Sequence, residues 1–204
     1  MSDFVWSLAG RCYRLGHHVQ HAGGVIPDRL ITAREVDPRK LIPHLFEETD
    51  PGFSERARPG DIIVAGRKFG MGPKMNGYIA MQALGLGLVC ESMPYLAYRA
   101  AVGCGLRVLT DCDGVTDLCE TGDMLEVDFA TGRFVNRTRA IERDFPPLAP
   151  ALQEIVAVGG NVGWLAQWWT ARSTASSSHW PSTSRPRASR TLSATYPTSS
   201  CSPS

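Results

Sequence analysis

Lys74 is the residue best placed in this sequence to do chemistry, because it follows a glycine-rich loop at the predicted start of a helix. A buried strand is predicted at Ile62–Ala65, and a loop follows it over residues 66–72. Pro73 suits a first helical turn and Gly85 suits the position just past a helix end, so the spacing predicts a helix between them. The positive end of a helix and a lysine together favour a phosphate or a carboxylate.

The loop matches neither of the two common glycine-rich nucleotide motifs. A P-loop has Lys directly after Gly and then Ser or Thr, whereas here Pro73 separates Gly72 from Lys74. The dinucleotide fingerprint requires a third glycine at position 75, which is Met75. The alternative is that these glycines only allow close backbone packing or a positive φ.

Three histidines lie close together in the sequence, at His17, His18 and His21. Such a group suits either a metal site or proton transfer near neutral pH. No Asp, Glu or Cys beside them completes a set of metal ligands, so we favour a solvated loop and predict no metal site.

The composition is that of an ordinary globular domain. The chain has 204 residues, of which 43% are apolar and 20% charged, enough for a sizeable core. A formal net charge of +1 gives no electrostatic case for a nucleic-acid partner. The N-terminus lacks the basic flank and long apolar run of a secretory signal, so we expect a cytoplasmic protein without a membrane partner. The six cysteines form no C-x-x-C pair, and we expect reduced, mostly buried thiols.

Strands and helices alternate after residue 60, which predicts a parallel sheet built from βαβ units. The first predicted helix, over residues 75–84, is followed by a strand at 86–90, a helix at 93–102 capped by Ser92, and a strand at 106–109. Residues 123–136 alternate by twos about a Thr-Gly turn and predict a β-hairpin.

The flanking segments complete the predicted domain. Residues 5–16 predict two short strands with a turn at Gly10, and residues 37–48 predict a surface helix with an apolar face. That face comprises Leu41, Ile42, Leu45 and Phe46. Helices are predicted at 150–158 and 162–172, and we expect the tryptophans of the second, Trp164, Trp168 and Trp169, to cover the core.

The composition changes abruptly at Ser173, after which Ser, Thr, Pro and Arg dominate and no acidic residue appears. Such a segment buries too little apolar surface to offset the entropy cost of ordering it. We therefore predict a domain over residues 1–172 and a disordered tail over residues 173–204. Out-of-frame translation of the end of a GC-rich gene is an alternative origin of the tail.

Three groups of short motifs occur in a specific order and spacing. They are Gly-Asp-Ile-Ile-Val-Ala-Gly at 60–66 with Phe-Gly-Met-Gly at 69–72, Gly-Leu-Val-Cys-Glu-Ser at 87–92, and Gly-Asp-Met-Leu-Glu-Val-Asp at 122–128. Over residues 10–172 the chain thus resembles the small subunit, or swivelling domain, of the aconitase and 3-isopropylmalate dehydratase family. The resemblance implies an α/β fold, a swivelling β/β/α domain with a partly parallel central sheet and βαβ crossovers.

The resemblance also implies a function. Members of this family catalyse the reversible loss of water from a hydroxy di- or tricarboxylic acid, and 3-isopropylmalate dehydratase does so in leucine biosynthesis. A 4Fe-4S cluster acts as Lewis acid and is expected in a large partner subunit, so no cofactor is expected in this chain. The implied ligand is a small carboxylic acid.

The sequence departs from the family at the active-site loop. The family loop reads Phe-Gly-Cys-Gly-Ser-Ser-Arg-Glu, in which the first Ser is the base and Arg pairs with the substrate carboxylate. Here Pro73 and Met75 stand at those positions, and neither side chain can do that work. The family's Asp-Thr-Asp before its Ile-Ile-Pro is replaced by His-Ala-Gly at residues 21–23.

Two functions remain open. In a divergent dehydratase Lys74 takes over carboxylate binding, with His21 or Tyr78 as the candidate base. The further substrate contacts would be Gly70, Gly72 and Asn76. The alternative is a non-catalytic structural or regulatory paralogue that binds the large subunit or a small carboxylate.

Overall fold

A seven-stranded sheet forms the centre of the protein, in a computed structural model that describes residues 4–72 and 76–175. Its strands are β1 (Ser7–Arg14), β2 (Ile62–Ala65), β3 (Gly87–Cys90), β4 (Arg107–Leu109), β5 (Met124–Asp128), β6 (Arg133–Asn136) and β7 (Ile141–Asp144). Across the sheet they lie in the order β4-β3-β2-β1-β5-β6-β7. Strands β1 to β4 are parallel to one another, and the β5–β7 half joins β1 in antiparallel pairing.

The described helices lie between the strands and after the last of them. They are α1 (Asp28–Thr32), α2 (Pro38–Leu41), α3 (Phe53–Arg56), α4 (Gly77–Ala83), α5 (Tyr95–Gly103), α6 (Pro150–Ala157) and α7 (Gly160–Ala175), with 3₁₀ helices at Ile42–His44 and Val115–Leu118. Helix α4 joins β2 to β3 and α5 joins β3 to β4, which confirms the predicted βαβ units.

The two faces of the sheet carry separate apolar clusters. Ile63 of β2 packs on the side of the helices, with residues such as Met81 of α4. Its neighbours Ile62 and Val64 face the other side and pack with residues such as Phe134 of β6. Because side chains alternate along a strand, a continuous apolar run such as β2 is buried on both faces. The partly parallel α/β sheet expected from the sequence is confirmed.

Strand β1 is a single strand, so the predicted turn at Gly10 is wrong. The strand lies between β2 and β5, with parallel pairing on one side and antiparallel pairing on the other. A Cβ atom at Gly10 would lie 2.4 Å from the carbonyl oxygen of Gly60. The glycine is therefore required by a close approach of two backbones in the middle of the sheet.

The helix predicted over residues 37–48 is broken into α2 and the 3₁₀ helix at Ile42–His44. Pro43 lacks the N–H that a continuing α-helix would use, and Phe46 turns the chain with a φ of 55°. The apolar pattern still identified core residues. Those that are buried are Leu41, Leu45 and Phe46, whereas Ile42 is half-buried.

Helix α5 begins at Tyr95 and the predicted capping role of Ser92 is wrong. The Ser92 hydroxyl instead accepts the N–H of Lys68 at 3.0 Å, and its carbonyl accepts the N–H of Phe69 at 2.9 Å. Pro94 precedes the helix and no side chain caps it. The Ser92 hydroxyl therefore binds the loop after β2 and does not cap α5.

The predicted hairpin is confirmed as β5 and β6, but the sequence did not indicate β7. Strand β7 is largely exposed and carries no apolar alternation. One of its contacts to β6 is an ion pair, with 2.6 Å between Arg133 Nε and Glu142 Oε1. A charged edge strand of this kind gives no hydrophobic signal.

Helix α7 does not bury its tryptophans as predicted. Trp164 and Trp168 are 45% and 43% exposed. The first turn of α7 approaches residues 103–105 closely, and most of the helix beyond it is exposed. The helix runs to Ala175, past the predicted domain end at 172. Residues 176–204 lie outside the described part of the chain, so the disordered tail stays a prediction.

The cysteines follow the prediction within the described residues. Cys12, Cys90, Cys104, Cys112 and Cys119 are free thiols and all but Cys104 are buried, while Cys201 lies outside the described range. Burial raises the pKa of the Cys90 thiol to about 12 and that of Cys104 to about 11. Within the described ranges no helix combines the length and apolar character needed to cross a bilayer.

We expect Gly10→Ala to lower the free energy of unfolding by about 1–3 kcal/mol, because the new methyl group would overlap the Gly60 carbonyl in a close-packed sheet. Gly16→Ala is the matched control, since a Cβ atom there would meet no atom within 4 Å, and it should change stability by less than about 0.5 kcal/mol. Urea unfolding measures both. Equal stability of the two variants would contradict the assigned close approach.

Candidate functional site

The segments that follow the four parallel strands meet at one edge of the sheet. Because parallel strands end on the same side, residues 15–21, 66–72, 91–94 and 110–114 are neighbours there. Open α/β sheets bind their ligands outside this carboxyl edge. The loop singled out from the sequence, residues 66–72, therefore lies where a ligand site is expected.

Backbone N–H groups of this loop donate hydrogen bonds to neighbouring segments. The N–H groups of five consecutive residues all donate within the chain. The pairs are Gly66 with Gly16 O at 3.2 Å, Arg67 with His17 Nδ1 at 3.0 Å, Lys68 with Ser92 Oγ at 3.0 Å, Phe69 with Ser92 O at 2.9 Å, and Gly70 with Val19 O at 2.8 Å. The Gly70 amide is thus already engaged, and the roles of Gly70 and Gly72 as substrate contacts stay predictions.

His21 joins the two ends of the segment that carries Lys74. Its backbone N–H donates to the carbonyl of Met71 at 2.7 Å, and its Nε2 accepts the N–H of Gly77 at 3.0 Å. The imidazole ring also packs edge-on against Tyr78, with 4.8 Å between ring centroids. One residue thereby fixes the chain before the segment and the first residue of α4 after it.

The His21 ring is fully buried, which corrects the expectation of a solvated histidine loop for this residue. His17 and His18 are exposed, as expected. Burial lowers the pKa of His21 to about 4, because the charged form would lose its hydration. The ring is therefore neutral near pH 7, with the proton on Nδ1 because Nε2 accepts a hydrogen bond. Within the described residues Nδ1 has no partner.

Tyr78 lies in the same buried cluster. Its side chain is fully buried, and a Cβ atom at Gly70 would lie 2.0 Å from its hydroxyl oxygen, so only glycine leaves room there. Burial raises the pKa of Tyr78 above its ordinary range. Its hydroxyl has no hydrogen-bond partner among the described residues. In this conformation neither candidate base, His21 or Tyr78, is accessible to a substrate, and the assignment of a base stays a prediction.

Asn76 lies just before α4 and its side chain is partly engaged. Its Nδ2 donates to the backbone carbonyl of Glu35 at 2.9 Å, while Oδ1 is buried without a partner among the described residues. Pro73, Lys74 and Met75 lie outside the described residues. The predicted contacts of Lys74 and Asn76 with a substrate stay predictions.

A second group of polar side chains at this edge was not identified from the sequence. Glu91 follows β3 and is 8% exposed, and its Oε1 accepts a hydrogen bond from Thr116 Oγ1 at 2.6 Å. Its Oε2 lies 3.5 Å from Arg67 Nε and 3.9 Å from His17 Nδ1. In the sequence, Glu91 could have been identified only by its position, as the first polar residue after the buried run of β3.

The described residues contain no group of three His, Cys, Asp or Glu side chains arranged to hold a metal ion. Residues 4–72 and 76–175 therefore offer no ligand set that fits an iron–sulfur cluster.

Comparisons with known proteins find relatives among curated sequences and among solved structures. No model of a protein family matches the chain. It is 35% identical over 157 residues to the 3-isopropylmalate dehydratase small subunit of Halothermothrix orenii, covering 76% of this chain and 93% of the relative. It is 34% identical over 160 residues to 3-isopropylmalate dehydratase small subunit 2 of Archaeoglobus fulgidus, covering 78% and 94%.

A solved structure has the same fold. The crystal structure of 3-isopropylmalate dehydratase from Methanocaldococcus jannaschii superposes with a TM-score of 0.73 at 26% sequence identity. The match covers 83% of this chain and 99% of that chain. The fold is therefore similar over essentially the whole of the solved chain.

We expect the buried, neutral His21 to make stability fall with pH between about 6.5 and 4. In that window the unfolded chain binds a proton at this residue and the folded chain does not, which costs about 3 kcal/mol by pH 4. Urea unfolding from pH 7 to pH 4 measures the loss. His21→Asn should remove that part of the pH dependence, whereas His18→Asn, at an exposed position, should keep it. An identical pH dependence in wild type and His21→Asn would contradict the assignment.

Proposed function

We propose that this chain, which belongs to the family of 3-isopropylmalate dehydratase small subunits, acts in a hydro-lyase that removes water from a hydroxy di- or tricarboxylic acid and adds it back. The observation that carries the proposal is the similarity to these small subunits over more than nine-tenths of their length. The position of the 66–72 loop at the carboxyl edge of the parallel strands is in keeping with a ligand site there.

The proposal includes a large partner subunit. The relatives are named as small subunits, and a small subunit requires a second chain. The described residues hold no ligand set for the 4Fe-4S cluster that the family uses, so we assign the cluster to that partner. When bound, it supplies Lewis-acid polarisation of the substrate hydroxyl. The roles of this chain's own residues do not depend on the cluster. The cytoplasmic location stays a prediction.

Lys74 is proposed as the carboxylate partner. In the sequence it lies between a loop that is hydrogen-bonded to neighbouring segments and the start of α4, which is held by His21. Lysine binds a carboxylate as a compact point charge, without the paired donors of the family's arginine. We therefore expect recognition of the carboxylate charge to survive, with a looser constraint on its orientation.

The proton acceptor is the open part of the mechanism. The family's serine position is Pro73, which has no ionisable group. The candidates His21 and Tyr78 are both fully buried, and burial shifts the pKa of each away from the value that a base at neutral pH requires. These observations favour testing assembly and turnover separately, because a non-catalytic subunit would assemble without turnover.

The direct test combines the purified chain with a cluster-bearing large subunit of 3-isopropylmalate dehydratase. Size-exclusion chromatography reports the complex, and ultraviolet absorbance of the conjugated unsaturated acid reports dehydration of isopropylmalate-, malate- and citrate-type substrates. We expect a complex and turnover. A complex without turnover would identify a non-catalytic subunit, and no complex would contradict both functions.

We expect Lys74→Ala to lower kcat/KM of that complex by about 10- to 100-fold, the usual effect of losing a hydrogen bond to a charged group. Lys40→Ala is the control, because Lys40 lies in α2 and pairs with Glu35 at 3.1 Å, so kcat/KM should not change. Steady-state kinetics at equal complex concentration compare the two variants. Unchanged progress curves for Lys74→Ala would remove this residue from substrate binding.

A further inference from the structure

Each of the four parallel strands is followed by one residue of a polar cluster at the carboxyl edge, here called the edge cluster. Its members are His17 after β1, Arg67 after β2, Glu91 after β3 and Thr116 after β4. Glu91 and Thr116 are 8% and 5% exposed, so both side chains are buried. Arg67 places the edge cluster at the start of the 66–72 loop. Residues 73–75 do not belong to the cluster.

Among the acceptors of the five loop N–H groups, His17 Nδ1 differs in being a side-chain nitrogen. Five consecutive N–H groups of the loop donate within the chain, as described above, and four of their acceptors are backbone carbonyls or the Ser92 hydroxyl. Those oxygens do not titrate in the physiological range. The acceptor for Arg67 N–H is His17 Nδ1, an imidazole nitrogen that loses its lone pair when it is protonated.

A buried carboxylate lies beside that same nitrogen. Glu91 Oε2 is 3.9 Å from His17 Nδ1, too far for a hydrogen bond but close enough to attract a proton placed there. The other Glu91 oxygen is held by Thr116, so the carboxylate is already oriented. A protonated Nδ1 would therefore repel the Arg67 N–H and attract Glu91.

We infer that His17 is a proton-operated switch at the base of the 66–72 loop. In the neutral state its Nδ1 accepts the Arg67 N–H and joins the segment after β1 to the loop after β2. In the protonated state Nδ1–H donates to Glu91, and the Arg67 N–H loses its acceptor. The switch stands on the contacts of this chain alone, and its consequence for carboxylate turnover rests on the proposed function.

Other charged groups also face His17 and set the direction of the effect. The Arg67 guanidinium competes with imidazolium for Glu91, since its Nε is 3.5 Å from the same oxygen. The His18 ring is 6.4 Å away, centroid to centroid. Across an open cavity of about 360 Å³ lie three further groups. They are Asp117, Arg14 and Glu120. Arg14 and Glu120 form an ion pair, with 2.7 Å between Arg14 Nη1 and Glu120 Oε1.

Nuclear magnetic resonance of the full chain between pH 5 and pH 8 tests this directly. The Arg67 amide resonance should shift with the same midpoint as the His17 ring protons. Hydrogen exchange of that amide, corrected for its intrinsic pH dependence, should be about five- to tenfold faster in the protonated state, as expected for the loss of one hydrogen bond. The Gly70 amide, whose acceptor is a backbone carbonyl, should show neither change.

Three variants make the test specific. His17→Asn keeps an acceptor but cannot titrate, so the Arg67 inflection should disappear and its exchange should stay slow. Glu91→Gln removes the carboxylate that would receive Nδ1–H, so the difference in Arg67 amide exchange between the two states should become smaller. His18→Asn is the matched control at a neighbouring exposed position with a φ of 59°, which asparagine tolerates, and it should keep the wild-type inflection.

The inference is overturned if the Arg67 amide does not follow the His17 ring in wild type, or if its inflection persists in His17→Asn. If His17→Asn or Glu91→Gln prevents folding, the comparison of the Arg67 and Gly70 amides in the wild type still tests the inference. Turnover with the large subunit, measured at pH 5.5 and 7.5, then reports whether the switch reaches the active site. Absence of turnover in every form would argue against the proposed function and leave the resonance result unaffected.

Discussion

The candidate site depends on one constraint: the parallel pairing of β1 with β2 continues beyond the ends of both strands. His18 N–H donates to the carbonyl of Arg67 at 2.8 Å, Gly70 N–H donates to Val19, and Gln20 pairs with Met71. These are main-chain contacts, so they do not depend on which side chains the loop carries. The changed positions Pro73 and Met75 are not among the residues that make these contacts, and the fold matches that of the solved relative.

His21 shows how a substitution can replace charge with packing. A family sequence with an acidic segment at this point would bring negative charge near α4. Here an imidazole that is neutral near pH 7 accepts the Gly77 N–H and packs against Tyr78. A neutral residue can be fully buried at modest cost, whereas an ionised carboxylate in the same place would have to be paired. The start of the helix is thus held by a neutral side chain and not by an anion.

The sequence predicted the parts of the fold whose signals are local and periodic. Buried runs such as β2, the alternation of β5 and β6, and glycines at helix ends were sufficient to place the βαβ units and the hairpin. It failed where distant segments decide the outcome. Gly10 meets Gly60, and Ser92 binds the loop after β2, so neither role can be read from adjacent residues. The edge cluster was missed for the same reason, because its four members come from four separate stretches of chain.

The central position of β1 has a consequence for how the chain reaches its folded state. Strand β1 precedes the other described strands in the chain, and it pairs on one side with β2 and on the other with β5, where Ser7 lies opposite Asp128. Contacts between residues so far apart in sequence carry a large loop-closure cost and form slowly. One edge of β1 must therefore keep its backbone N–H and C=O groups unpaired until β5 has been synthesised. During that interval the open edge of β1 can pair with a wrong strand, which is the hazard that chaperones limit.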